Sequence, residues 1–209
     1  MPKITDMQIQ KRNKTRANVY IDGEFSMALE MLTVMKLGLK IGQVVSQEQL
    51  ADAVFDSEKS VAFDKAMGYL GRGMKTAKQM RNYLEKKAYA PEVVEYVITR
   101  LKEYRYIDDV AYAKLYVEHN SATKGERRLK QELVSKGIAL SLAEQHSQLD
   151  GEQALSDATR LAEKYMRSKP CDIKTLQKLQ RYLLSRGYGY DIVNNVLHNY
   201  KLDNIDIDE

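Results

Sequence analysis

The side chains of this sequence best placed to act on a partner are cations, and they come in runs. Arg72, Lys75, Lys78, Arg81, Lys86 and Lys87 follow one another with Glu85 as the only acid among them. Lys124, Arg127, Arg128, Lys130 and Lys136 form a second run, interrupted by Glu126 and Glu132, and Lys174, Lys178, Arg181 and Arg186 form a third. Ammonium and guanidinium groups at such spacings attract polyanions: a nucleic-acid backbone or an acidic protein face. Lys124 and Arg127 stand where a helix should begin, so unpaired N–H groups would add to their pull on a phosphate. A solvated helix face is the competing reading of any one run. Three runs at equivalent places favour a track along a long ligand over a spot for a small one.

Other chemistries lack their residues. His119, His146 and His198 have no partners at metal-ligand spacing, and the single cysteine, Cys171, excludes a disulfide framework or a cysteine zinc site. Lys124-Gly125 lacks the rest of a phosphate-binding loop, and Gly71-Arg72-Gly73 is too short for a dinucleotide fingerprint. No Ser or Cys lies in a nucleophile motif. Asp108 and Asp109 are paired carboxylates, a pattern that can hold a metal. Asp108, however, is placed to cap a helix, and the structural reading is favoured for both. Glu132 stands four residues after Arg128, at ion-pair spacing on one helix face. The chain is therefore expected to use no metal or cofactor. Of its 14 tyrosines, 13 lie beyond residue 60. They could stack on bases, but Tyr69, Tyr116 and Tyr165 recur at apolar helix positions and are read as packing residues.

The elements that carry the cations repeat about every 50 residues. Leu84-Glu-Lys-Lys-Ala-Tyr89 lines up with Leu133-Val-Ser-Lys-Gly-Ile138 and with Leu183-Leu-Ser-Arg-Gly-Tyr188. Four residues before each leucine stand Met80, Leu129 and Leu179, and nine after it Val93, Leu142 and Ile192. Tyr69, Tyr116 and Tyr165 lie upstream, each three residues after Ala66, Ala113 or Ala162. Apolar residues at three- and four-residue steps make each repeat three short helices. Thr76 with Gln79 reads as a capping box for the second helix of the first repeat, and Ala88-Tyr89, Gly137 and Gly187 as helix ends. Such helices cannot enclose a core alone, so the repeats should stack into an elongated, curved array. Tyr69, Leu84, Asp108, Asp109, Tyr116, Leu133 and Leu183 are its expected structural residues.

Ahead of the repeats, residues 4–10 alternate, and Ala17–Ile21 and Glu24–Ala28 flank Asp22-Gly23, the pattern of a β-hairpin. Lys11, Arg12, Lys14 and Arg16 fall in the loop before it. Ser46 with Gln49 opens a helix expected to end near Ser57. The expected organisation is a β-rich unit over 1–45, a linking helix over 46–59, repeats over 60–107, 108–150 and 151–201, and an acidic tail over 202–209. The 44% hydrophobic and 30% charged residues suit a folded, mainly helical chain with only 3 prolines. Its net charge of +4 is uneven: residues 59–107 hold eleven basic and five acidic groups. No apolar stretch is long enough to span a membrane, and one cysteine with no apolar leader fits a reducing cytoplasm.

Certain motifs carry a resemblance. Tyr69-Leu-Gly-Arg72 with Lys75-Thr76 and Leu84–Lys87 resembles the first repeat of the RecX family of recombinase regulators. Tyr106-Ile-Asp-Asp-Val-Ala-Tyr-Ala113 is similar to that family's entry into its second repeat, and Lys124-Gly125, Arg128-Leu129, Glu132-Leu133 and Lys136-Gly-Ile138 resemble its most recognisable part. Gln79-Met80 and Ala88 depart from the family pattern of Glu-Leu and Gly. The first 45 residues are read as lying outside its shared core. The resemblance implies three tandem three-helix repeats and a non-catalytic protein; a monomer is expected. It further implies binding in the groove of a RecA-type recombinase filament on single- or double-stranded DNA, restraining filament growth, ATPase and coprotease functions. Two alternatives stand beside it: a helix-turn-helix reader of DNA sequence, with Arg81 and Asn82 as its candidates, and a protein scaffold indifferent to DNA.

Overall fold

Asp22 and Gly23 turn the chain with φ of 49° and 90°, the left-handed pair that a two-residue hairpin between twisted strands demands. Around that turn β1 (Ile4–Ile9), β2 (Arg16–Ile21) and β3 (Glu24–Glu30) form an antiparallel sheet in the order β1-β2-β3. The computed structural model describes residues 2–205 and resolves into two units. One holds the chain up to Lys75 together with Met80–Ile107; the other holds Thr76–Gln79 and everything from Asp108 onward.

In the first unit, Ile4, Val19 and Leu29 from one face of the sheet are buried with Val34 of α1 (Met31–Lys36), Leu39, Val45 and Ala53. Ala53 belongs to α2 (Gln47–Leu70), which opens on the expected capping box: Ser46 Oγ accepts from the Gln49 amide at 3.1 Å and Gln49 Oε1 from the Ser46 amide at 3.0 Å. The helix does not end near Ser57. It runs for 24 residues, so the linking segment and the first helix of repeat one are a single element. No proline or glycine interrupts residues 47–67, and the Ser57 hydroxyl, buried inside the helix, accepts from the Glu30 amide at 2.7 Å. Arg16 likewise lies on β2 rather than in the loop, with Nε 3.4 Å from Glu30 Oε1. Repeat one continues with α3 (Ala77–Glu85) and α4 (Pro91–Glu103), which opens on its proline and buries Val93, Val94, Val97, Ile98 and Leu101.

In the second unit, α5 (Asp109–Asn120), α6 (Glu126–Ser135) and α7 (Leu140–Ser147) make repeat two around Ala113, Leu133, Ile138 and Ala143. Repeat three, α8 (Gly151–Met166), α9 (Ile173–Ser185) and α10 (Tyr190–Ile205), packs round Leu179, Leu183, Tyr188, Val193 and Val196. The expected acidic tail begins inside α10, which is helical through Ile205; 206–209 lie outside the described residues.

The repeated Leu…Gly motif is one helix-ending turn built three times. The amides of Tyr89, Ile138 and Tyr188 reach back to the carbonyls of Leu84, Leu133 and Leu183, and those of Ala88, Gly137 and Gly187 to Glu85, Val134 and Leu184. This is the double bond of a Schellman turn, with the leucine and the large residue after the turn as its apolar pair. All three leucines are fully buried. The residue at the turn has φ of 60° at Ala88, 95° at Gly137 and 92° at Gly187.

Candidate polyanion-binding surface

Each repeat sets a tyrosine of its first helix beside the second helix and covers it with cations. In repeat one, Tyr69 of α2 stacks on Tyr83 of α3, with ring centroids 4.2 Å apart and planes 9° apart. Lys75 Nζ lies 5.0 Å from the Tyr69 centroid and Lys87 Nζ 6.0 Å from that of Tyr83. In repeat three, Tyr165 of α8 and Tyr182 of α9 stack at 4.9 Å. Lys169 lies 3.1 Å over Tyr165, and Arg186 5.1 Å over Tyr182. All four rings are half-buried. Each is stacked on the other ring of its pair and lies near a cation, an attraction between positive charge and the negative ring face.

Repeat two has Glu132 where the others have Tyr83 and Tyr182. The Tyr116 hydroxyl donates to Glu132 Oε2. Lys124 Nζ lies 2.6 Å from the same oxygen and 3.2 Å from the tyrosine oxygen, and Arg128 Nε donates to Oε1 at 2.9 Å. Lys136 lies 5.2 Å over the Tyr116 ring. Burial alone would raise the Glu132 pKa, but the hydrogen bonds from Lys124, Tyr116 and Arg128 outweigh it and hold the carboxyl at about 2. Burial and the bond to Glu132 push the Tyr116 hydroxyl up. Burial would lower Lys124, but its bonds to Glu132 and Tyr116 prevail and raise it.

These contacts sort the ten cations expected to bind. Lys124 and Arg128 are engaged on Glu132, and Arg128 also donates to the Ser185 carbonyl at 3.1 Å. Arg81 grips Glu95 through Nε at 3.0 Å and Nη2 at 2.7 Å. Lys130 lies 3.5 Å from Glu144, and Lys75 donates to the carbonyls of Gly73 and Met74. Among the described residues, Arg72, Lys78, Lys86, Lys87 and Arg127 are exposed and form no ion pair, although Arg127 lies 5.7 Å over the Tyr190 ring. The start of α6 also differs from the expected phosphate site. The Gly125 amide donates to the Arg186 carbonyl at 2.9 Å and that of Arg127 to Gly187 at 3.2 Å, so these N–H groups are spent on the end of α9.

Both aspartates are helix caps. Asp108 Oδ1 accepts from the amides of Val110 and Ala111 at 2.9 Å. Asp109 Oδ1 takes the Ala77 amide at 3.0 Å, a cap on a different helix that chain order alone does not reveal. Thr76 and Gln79 form their capping box. Sequence reasoning missed Lys169 and the substitution of Glu132 into the tyrosine stack. Position 132 was legible, since it precedes the aligned leucine as Tyr83 and Tyr182 do.

Three three-helix repeats that each set cations over a tyrosine, following a three-stranded antiparallel sheet in the chain, define a class of helical repeat proteins. Comparison with known proteins makes the class specific. Residues 2–46 match the family model described as the regulatory protein RecX N-terminal domain. Residues 62–101, 108–146 and 152–197 match the first, second and third three-helix domains of RecX. The chain is 33% identical to the regulatory protein RecX of Clostridium botulinum (strain Alaska E43 / Type E3) over 202 residues, which cover 94% of this chain and 95% of the relative. It is 32% identical to that of Clostridium perfringens (strain SM101 / Type A), with the same coverage. A crystal structure of regulatory protein RecX superposes with a TM-score of 0.71 at 27% identity, covering 94% of this chain and 98% of the other. RecX from Lactobacillus salivarius superposes with a TM-score of 0.63 at 26% identity, covering 69% and 97%. The chain belongs to the RecX family of regulatory proteins. The match over 2–46 overturns the reading that the N-terminal unit lies outside the family's shared parts. Among the described residues no helix is long and apolar enough to cross a membrane.

Proposed function

We propose that this protein is a non-catalytic regulator that lies in the groove of a RecA-type recombinase filament on DNA and restrains its growth, ATPase and coprotease functions. It works in the cytoplasm, as a monomer. The observation that carries this reading is the set of unpaired cations in repeat one, Arg72, Lys78, Lys86 and Lys87, in a chain whose three repeats all match RecX. Exposed charge without an internal partner is available to phosphates or to acidic side chains. Contacts spread over several filament subunits add affinity without a deep pocket. A sequence-reading helix is disfavoured, because its candidate Arg81 is held on Glu95 by a two-pronged ion pair.

The test is DNA-stimulated ATP hydrolysis by purified recombinase. Suppression at far less than one protein per nucleotide is expected, and no suppression removes the reading. Reversing Arg72, Lys78, Lys86 and Lys87 to Glu should preserve helix content and abolish co-sedimentation with filaments. Reversing Arg81 alone should not. If five or six phosphates of a single strand are neutralised, the log–log salt slope is about −4. A flat response would favour a scaffold indifferent to DNA.

A further inference from the structure

The second helix of one repeat begins against the helix-ending turn of the next, and glycine makes the approach possible. A Cβ on Gly137 would lie 2.2 Å from the Cβ of Lys78, while the Thr76 hydroxyl donates to the Lys136 carbonyl beside it at 2.6 Å. The same arrangement recurs one repeat on. A Cβ on Gly187 would lie 2.4 Å from the Arg128 amide nitrogen, and the Gly125 amide donates to the Arg186 carbonyl at 2.9 Å. In both places the turn is a seat and the aligned residue, Thr76 or Gly125, is the plug; Thr76 donates through its hydroxyl, while Gly125 donates through its amide and leaves no room for a Cβ, which would lie 2.4 Å from the Gly187 carbonyl carbon.

Applied to the two ends, the rule leaves one seat and one plug unused. The unused seat is Lys87-Ala88-Tyr89. Its backbone follows the same turn, but position 88 carries a methyl group where the working seats have none. A cavity of about 410 Å³ opens there, lined by Lys87, Ala88 and Tyr89 with Arg16, Met27 and Lys65. The unused plug is Thr175, three residues past the cap of α9. That helix starts one turn early, so Thr175 is already buried within its own copy, at 8% exposure and with its amide on Asp172 Oδ1 at 2.6 Å, while Ile173 in the added turn is 78% exposed.

A seat at one end and a plug at the other make a head-to-tail pair. If both worked, one copy of the chain would dock on the next through unlike surfaces, a contact that can repeat from copy to copy. We propose that Ala88 and the added first turn of α9 are stops that keep the repeat-docking rule from joining copies of this protein end to end. Each blocks its own side. The methyl fills the space that Lys78 and Arg128 occupy at the other turns, and the added turn hides the donor that would reach the Lys87 carbonyl.

The experiment is sedimentation velocity of the full chain over a wide concentration range, with circular dichroism to confirm helix content. Wild type, Ala88→Gly, and Asp172→Gly with Ile173→Gly should each sediment as one species at every concentration. The combination of all three substitutions should self-associate as concentration rises, as a head-to-tail contact does. If the glycine pair lowers helix content, Asp172→Ala with Ile173→Asn in the Ala88→Gly background removes the cap and keeps a side chain at each site. A combined variant that keeps its helices and still sediments as wild type overturns the proposal. So does end-to-end growth by wild type or by either half of the combination.

Discussion

Repeats one and two carry similar numbers of basic residues in and around their second helices and put them to different uses. In repeat one, Arg72, Lys78, Lys86 and Lys87 face solvent, and Tyr69 stacks on Tyr83. In repeat two, a carboxylate replaces the second tyrosine and draws Lys124 and Arg128 inward. A cation count thus overstates the charge available to a partner. For Lys124 and Arg128 the deciding residue is the acid one place before the aligned leucine; for Arg81 and Lys130 it is a glutamate fourteen residues on.

The comparison breaks most severely at the turns. Gly187→Ala would drive a Cβ to 2.4 Å from the Arg128 backbone at a φ of 92°. A loss of more than about 4 kcal/mol is expected in chemical denaturation, whereas Gly23→Ala, with nothing within 4 Å, should cost only its backbone strain. Next comes Glu132→Gln, which leaves Lys124 half-buried without its counter-charge; about 2–3 kcal/mol should be lost at neutral pH. The sign follows from linkage: a carboxyl lowered from 4.5 to about 2 contributes fully above pH 4.5 and loses that contribution as pH falls through 2. The gap between wild type and Glu132→Gln, measured by denaturant titration, should therefore narrow over that window. In the opposite direction, Ala88→Gly relieves a left-handed alanine and should raise the stability of the folded chain by about 1 kcal/mol. The smallest effect belongs to Tyr188→Phe. The Tyr188 hydroxyl is buried without a hydrogen-bond partner among the described residues, so its removal should change stability by less than about 1 kcal/mol, in the stabilising direction if at all.

Local signals were legible where the chain announces them locally. Asp22-Gly23, Ser46 with Gln49, Thr76 with Gln79 and Asp108 all do in the structure what their types and spacing indicate. The aligned leucines pointed correctly to the buried positions. Errors arose where a residue's role depends on something distant in sequence. Arg81 meets Glu95 fourteen positions away, Arg128 reaches the Ser185 carbonyl, and the amides at the start of α6 meet the end of α9. The missed continuity of α2 has another cause: nothing in the sequence after Ser57 signals that the helix runs on into repeat one, and the Ser57 hydroxyl inside it is satisfied from the Glu30 amide, outside the helix.

That helix has a practical consequence for dissecting the protein. Its 24 residues extend about 36 Å, and one stretch serves two masters: Ala53 closes the core beneath the sheet, while Ala62 and Ala66 are buried in the part that belongs to repeat one. Cutting the polypeptide at residue 46 to isolate the repeats would strip the sheet from the first half of this rod and bare its apolar side to water. Fragments meant to separate the contributions of the two parts should be made by replacing surface residues within the intact chain.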